Sequence, residues 1–290
     1  MKKIYRMLII FIPILFLSCG DTGVSPREEP TNEDAIYNII RYDRPSEFNV
    51  DLYNLAIPET LLFQSGPIVP IHHWYNIERD SLFIGIDIRY VQPGDPSGTI
   101  PSADVLLTKR FWGTLEIIGV DTAGGNDTPV RMSKEFTITG EIASRFEKYG
   151  FDYNRRRGWL LTELSDAVFS GGYISAFQNI TIHTQSGSDY IVNSSLKNIS
   201  DIIQFEPNDS LTVIINTASA GDFVSLNYRS ADGYTTISMA PEGSNQHITG
   251  FRLTGSLGYD HFLIDVKASG TLTDTTAFKS GAIGVVYKVR

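Results

Sequence analysis

A second cysteine is missing from this chain: Cys19 stands alone among 290 residues. No disulfide can close within one copy, so stability must come from apolar burial, for which the length is ample. Positive charge is scarce too. Lys and Arg number 24 against 33 acidic residues, a formal net charge of −9. A nucleic-acid partner demands a basic footprint for its phosphates, and so acidic a surface excludes one. The same deficit argues against purely electrostatic docking on anionic lipid. Nowhere do 18 apolar residues follow one another, as a membrane-spanning helix requires. A Gly-x-Ser-x-Gly nucleophile elbow is also absent, and nothing calls for a cofactor.

What is present begins at the N-terminus. Lys2, Lys3 and Arg6 are followed by an apolar stretch, 7–17, broken only by Pro13, and the small residue Ser18 precedes Cys19. The stretch is too short for the ~20 residues of a spanning helix. Leu15-Phe16-Leu17-Ser18-Cys19-Gly20 resembles the end of a bacterial lipoprotein signal peptide. The resemblance implies that residues 1–18 are removed and that Cys19 carries a diacylglycerol, with acyl chains of the palmitate kind. Two or more acyl chains hold a protein on a membrane where one does not. A bare thiol at the first mature position would instead be reactive in an oxidising compartment. The expectation is a lipid-anchored, extracytoplasmic protein of the bacterial cell envelope.

Residues 19–31 contain Pro26, Pro30 and Arg27-Glu28-Glu29 without apolar periodicity, and read as a flexible tether reaching ~40 Å at full stretch. Thr31-Asn32-Glu33-Asp34 then reads as a helix start, with Ile36, Ile39 and Ile40 on one face and Pro45 stopping the pattern. Strands follow. Leu82, Ile84, Ile86, Ile88 and Tyr90 alternate with Phe83, Gly85, Asp87, Arg89 and Val91, and Pro93-Gly94-Asp95-Pro96 closes that strand. Further strands are expected at 105–108, 111–118, 130–139 and 142–146, with a loop from Asp121 to Asp127 and a turn at 150–156 before Trp159. Residues 32–172 thus form an α+β unit, a short helix plus a curved antiparallel sheet, resembling cone-shaped folds in which such a sheet wraps a helix.

Ser170-Gly171-Gly172 marks a boundary. Beyond it seven short strands are expected, at 180–183, 211–216, 223–228, 235–239, 248–254, 261–266 and 283–289. Residues 173–290 accordingly resemble an immunoglobulin-like β-sandwich, without that family's cysteine–tryptophan–cysteine pattern. The whole is a mainly β protein in two domains.

Few residues offer chemistry. His72-His73-Trp74 is the only histidine cluster, and neighbours on a strand face opposite ways, so no metal site is expected. Asp87 and Arg89 share the face opposite the Leu82–Ile88 row. They form either a solvated charge pair or, if the sheet encloses a pocket, a base with its partner. Asp121, Asn126 and Asp127 supply oxygen atoms but read as a hairpin turn. Arg155-Arg156-Arg157 is the only basic run. Trp74 and Trp112 are the remaining ligand-contact candidates, because exposed indoles make platforms for sugar rings. The expected function is that of a non-enzymatic binding or structural lipoprotein, touching the membrane through its anchor and offering loops or edges to a protein or glycan partner. A carbohydrate-binding module and an enzyme with a pocket in the first domain are the alternatives.

Overall fold

The computed structural model describes residues 29–49, 51–52, 57–58, 68–90, 100–123, 127–173, 176–230, 233–243, 245–253, 256–275 and 277–290. Cys19, the signal-like segment, Asn126 and the turn at 93–96 lie outside the described residues. The protein is mainly β, with a curled antiparallel sheet and a short helix near its start.

That helix, α1 (Asn32–Asn38), begins where the sequence places it. Thr31 is the N-cap, and its side-chain oxygen accepts the Asp34 backbone N–H at 3.0 Å. The helix widens directly into a π-turn at Ile39–Asp43. Ile36, Ile39 and Ile40 are all buried, in a core shared with Phe48, Phe146 and Trp159.

The strands are longer than their sequence patterns suggest. β1 (Ile57–Pro58) pairs with β2 (Ile68–Arg89), β2 pairs antiparallel with β3 (Ser102–Asp121), and β3 pairs antiparallel with β4 (Thr128–Lys148). The breaks expected near Lys109 and Gly140 do not occur. Lys109 faces inward, yet its ammonium is met by Asp80 at 2.9 Å and by Asp51, so the charge does not interrupt the strand. Ala103, Val105, Leu107, Phe111, Leu115 and Ile117 line the inner face of β3 at a period of two. Asp121 and Thr128 close the β3–β4 ladder, so the Asp121–Asp127 segment connects a hairpin.

β5 (Trp159–Leu164) and β6 (Ala167–Gly171) follow, and the chain then crosses to a second layer through β7 (Phe177–Thr184) and β8 (Asp189–Ile191). The short β9 (Lys197–Asn198) and β10 (Gln204–Phe205) lead into β11 (Ser210–Thr217), β12 (Phe223–Ser230), β13 (Gly233–Ser238) and β14 (Ala240–Pro241). The chain ends with β15 (Gln246–Arg252), β16 (Gly258–Lys267), the short helix α2 (Ser269–Thr273) and β17 (Ser280–Val289). All seven strand patterns read beyond residue 172 coincide with strands.

One sheet runs in the order β1-β2-β3-β4-β6-β17-β16-β12-β13, and a second in the order β14-β15-β11-β7-β8. The first sheet curls back on itself. In it β3, β4, β6 and β17 separate β2 from β16, yet the Tyr75 hydroxyl on β2 reaches Asp265 on β16 at 2.9 Å. Inside the curl lies one core, holding α1 and the inner faces of β2, β3 and β4. The second sheet packs against the far side of β12, β16 and β17 around another core, which includes Val213, Phe262, Ile264 and Val285.

The boundary at residue 172 is therefore a crossover between layers within a shared sheet. β6 ends the first half and pairs antiparallel with β17 of the second, with Phe169 opposite Ala282. Leu263, Leu272, Ala282 and Val286 lie in the same core as α1.

Gly113 is required by a close approach. Register shifts beside it, between Ile77 and Arg79, and a Cβ at this position would lie 2.0 Å from the Asn76 carbonyl oxygen. Gly113→Ala should therefore cost about 2 kcal/mol or more in urea denaturation, since a backbone atom cannot yield as a side chain can. An unchanged midpoint would refute the close approach.

Candidate functional site

The outer face of the three long strands carries the residues proposed from sequence. Asp87 is exposed there, opposite Asp104 in the ladder. Arg89 pairs with Asp104 at 2.6 Å, and Arg145 approaches the same carboxylate at 4.0 Å. The result is a solvated, charge-balanced ladder of the kind cross-strand pairing produces. The burial expected of a base in a pocket is not found at Asp87.

Trp74 and Trp112 are each half-buried on that face. Trp74 stands opposite Glu116 and Trp112 opposite Arg79, so the Asn76–Thr114 pair lies between the two indoles. The Arg79 guanidinium covers the Trp112 ring, 4.6 Å from its centroid. Glu116 accepts from Ser133 at 2.9 Å and from Arg131 at 3.1 Å, and these donors hold its carboxyl below the usual range. His72 and His73 sit side by side on β2, with His73 buried and His72 only partly so. Among the described residues no three His, Cys, Asp or Glu side chains gather as metal ligands. No helix among them is long and apolar enough to cross a membrane.

A buried polar cluster was not anticipated from sequence. Asp265 and Lys267 alternate with Ile264 and Val266 on β16, so both charges face the interior of the curl. Lys267 Nζ meets Asp265 Oδ2 at 2.6 Å. The Tyr75 hydroxyl donates to that same oxygen, and Ser280 Oγ donates to Asp265 Oδ1 at 2.9 Å. The ammonium also lies 4.9 Å from the Tyr75 ring centroid. All four residues are buried. Burial raises the Tyr75 phenol well above its ordinary pKa, and the Asp265 charge adds to the shift. Burial likewise depresses His73 far below the usual imidazole range, reinforced by Lys267. Closed to solvent, the cluster ties β2, β16 and β17 together. The available sequence signal was two charges, two residues apart, within an otherwise apolar strand.

The arginine run has a structural task. Arg156 Nε and Nη2 donate to the two Asp43 oxygens at 2.7 and 2.9 Å, and Nη1 bonds the Glu29 carboxylate. The Arg156 hydrogen bond, first among several contacts, lowers the Asp43 pKa. Arg157 Nη1 donates to the Glu29 carbonyl at 3.3 Å. Asn32 Oδ1 accepts from Arg157 Nε at 3.0 Å, Trp159 Nε1 at 3.0 Å and Lys148 Nζ at 3.2 Å. Together these bonds clamp the first described residues onto the β4–β5 loop. Residues 29–31, which the sequence reading placed in a flexible tether, are thus held against the body.

Comparison of the chain with models of protein families, with curated proteins and with solved structures finds no match.

Two stability predictions follow from the buried groups. Lys267→Met strands a buried carboxylate and should cost about 3–5 kcal/mol, whereas Asp265→Asn combined with Lys267→Met should cost much less. Equal losses from the two would show that the ion pair is not coupled. The second concerns His261, which burial depresses to a pKa of about 4. Above pH ~6.5 neither the folded nor the unfolded imidazole is protonated. Between there and pH ~4 only the unfolded chain takes up the proton, so stability falls with pH by about 3 kcal/mol through this group. Denaturation of the wild type and of His261→Leu across this range should reveal that slope in their difference; parallel curves would refute it.

Proposed function

We propose that this chain is a lipoprotein of the bacterial cell envelope, held on its membrane by acyl groups on Cys19 and displaying a non-enzymatic binding or structural body. The observation that carries the reading is the N-terminal run of Lys2, Lys3 and Arg6, a short apolar stretch, and Ser18-Cys19. The clamp at Glu29 supports it: the body takes hold of the chain about ten residues after the cysteine, so anchor and fold are separated by a short tether.

The immunoglobulin-like reading of the second half belongs to the same proposal. What supports it is strand order. Lettered in chain order, β7, β11, β14 and β15 take the places of A, B, D and E, and pair as D-E-B-A. β12, β13, β16 and β17 take the places of C, C′, F and G, and pair as C′-C-F-G. Such a sandwich presents loops at both ends, suited to a protein or glycan partner.

The non-enzymatic reading rests on how the polar residues are deployed. The Asp265–Lys267 cluster is sealed, and the outer-face charges balance one another in solvent. A carbohydrate-binding role draws support from Trp74 and Trp112 sharing one face, but the Arg79 lid on Trp112 weighs against it.

The test is Cys19→Ala in the producing cell. The wild type should fractionate with membranes and carry the mass of an acylated cysteine; the variant should lose that mass and become soluble. A wild-type product with a bare cysteine in the aqueous fraction would overturn the proposal.

A further inference from the structure

One end of the fold carries a group of exposed aromatic rings. In the loop between β4 and β5, Tyr149 is 62 % exposed, Phe151 68 % and Tyr153 83 %, and Tyr42 at the end of the π-turn is 69 % exposed. Phe151 and Tyr153 stack on each other, with ring centroids 5.3 Å apart and planes 14° from parallel. Large apolar groups left in water in such concentration mark a surface that is covered in use.

The loop is built rather than slack. The Asn154 side chain accepts the Phe151 backbone N–H at 2.7 Å, and Tyr149 N–H donates to the Gly158 carbonyl at 3.0 Å. Gly158 adopts a left-handed backbone, and a Cβ there would lie 2.3 Å from Gly150, so the two glycines close the loop's neck.

The chain's own route identifies what covers it. The same loop, through Arg156 and Arg157, grips Glu29, and Asp43 beside Tyr42 is bonded to Arg155 at 3.0 Å. The tether therefore leaves the body at the aromatic end. Between Cys19 and Glu29 the covalent chain extends at most ~35 Å. A membrane gripping Cys19 is consequently within reach of this end of the molecule. Tyrosine and phenylalanine suit that setting, since an aromatic ring with a polar tip partitions to the headgroup layer. Lys148, Arg155, Arg156 and Arg157 lie here as well, paired with the carboxylates of Asp152, Asp43 and Glu29.

We propose that Tyr149, Phe151 and Tyr153, together with Tyr42, seat in the headgroup layer of the membrane that holds the Cys19 lipid. This loop then orients the body, with the anchor supplying attachment and the aromatics supplying pose. The inference rests on the lipid-anchor reading above.

The experiment uses full-length chain, processed in the producing cell and reconstituted into vesicles of phosphatidylethanolamine and phosphatidylglycerol, with or without brominated acyl chains. Phe151→Trp adds one indole to the three already present, and subtracting the wild-type emission isolates it. Brominated lipid should remove most of that added emission, and the further changes Tyr149→Ser and Tyr153→Ser should restore it. If the chain floats with vesicles and carries an acylated Cys19 while the added indole is quenched only by aqueous acrylamide, docking is overturned and the anchor stands. Emission that responds to protein dilution but not to bromine would assign the rings to a second copy, and also overturns it. Failure to float, with Cys19 bare by intact mass, overturns both readings together.

Discussion

The hairpin of β16 and β17 is walled in on both faces, and much of the molecule takes its position from it. Phe262, Ile264, Val266, Ile283 and Val285 point into the core between the sheets, while Leu263, Ala282 and Val286 point into the core of the curl. A strand with no solvent face must have its backbone paired along both edges, because an orphaned amide there is costly. β17 finds β6 on one side and β16 on the other, and β16 finds β12. Thus an early strand of the chain and a late one are joined in one sheet.

Two charges stand inside this dry region. Neither Asp265 nor Lys267 would tolerate such a place alone, since each ion taken from water costs several kcal/mol; together, with Ser280 and Tyr75, they satisfy each other. The arrangement adds little net stability but is directional. Apolar side chains from β2 could slide along the opposing wall. The Tyr75 hydroxyl, 2.9 Å from Asp265, has one register in which its hydrogen bond forms. The polar knot thereby selects how far the sheet curls.

With the interior so used, the surface divides by chemistry. The outer face of β2, β3 and β4 balances its charges strand against strand, as in the Arg89–Asp104 and Arg131–Glu116 pairs. The β4–β5 loop spends its arginines on holding the chain's entry and leaves its aromatic rings outside. One short segment thus brings the start of the fold and an exposed aromatic cluster to the same end.

Much of this was legible from residues alone. Thr31 as a cap and the Ile36, Ile39, Ile40 stripe follow from helical geometry, and the strands after residue 172 follow from alternation between Gly, Asn and Asp turns. Both are local patterns spanning a few residues. The continuity of β3 past Lys109 was hidden, because it depends on Asp51 and Asp80 arriving from elsewhere. The work of Arg156 was hidden for the same reason: Asp43 and Glu29 are more than a hundred positions away. The burial of Asp265 and Lys267 was hidden too, for a sequence records their alternation with Ile264 and Val266 but not that a second wall closes over them.

By itself, then, the amino-acid order determined the first helix, the centres of many strands and which face of each is apolar, because those properties arise from periodicities of 3.6 and 2 along one stretch of chain. It also determined the N-terminal pattern that ends at Cys19. Only the tertiary structure decided that the two halves share one sheet, that an ion pair lies sealed within it, and that Glu29 is held by a loop bearing exposed aromatics. Each of those is a meeting of distant segments, and contact across space leaves no periodic trace along the chain.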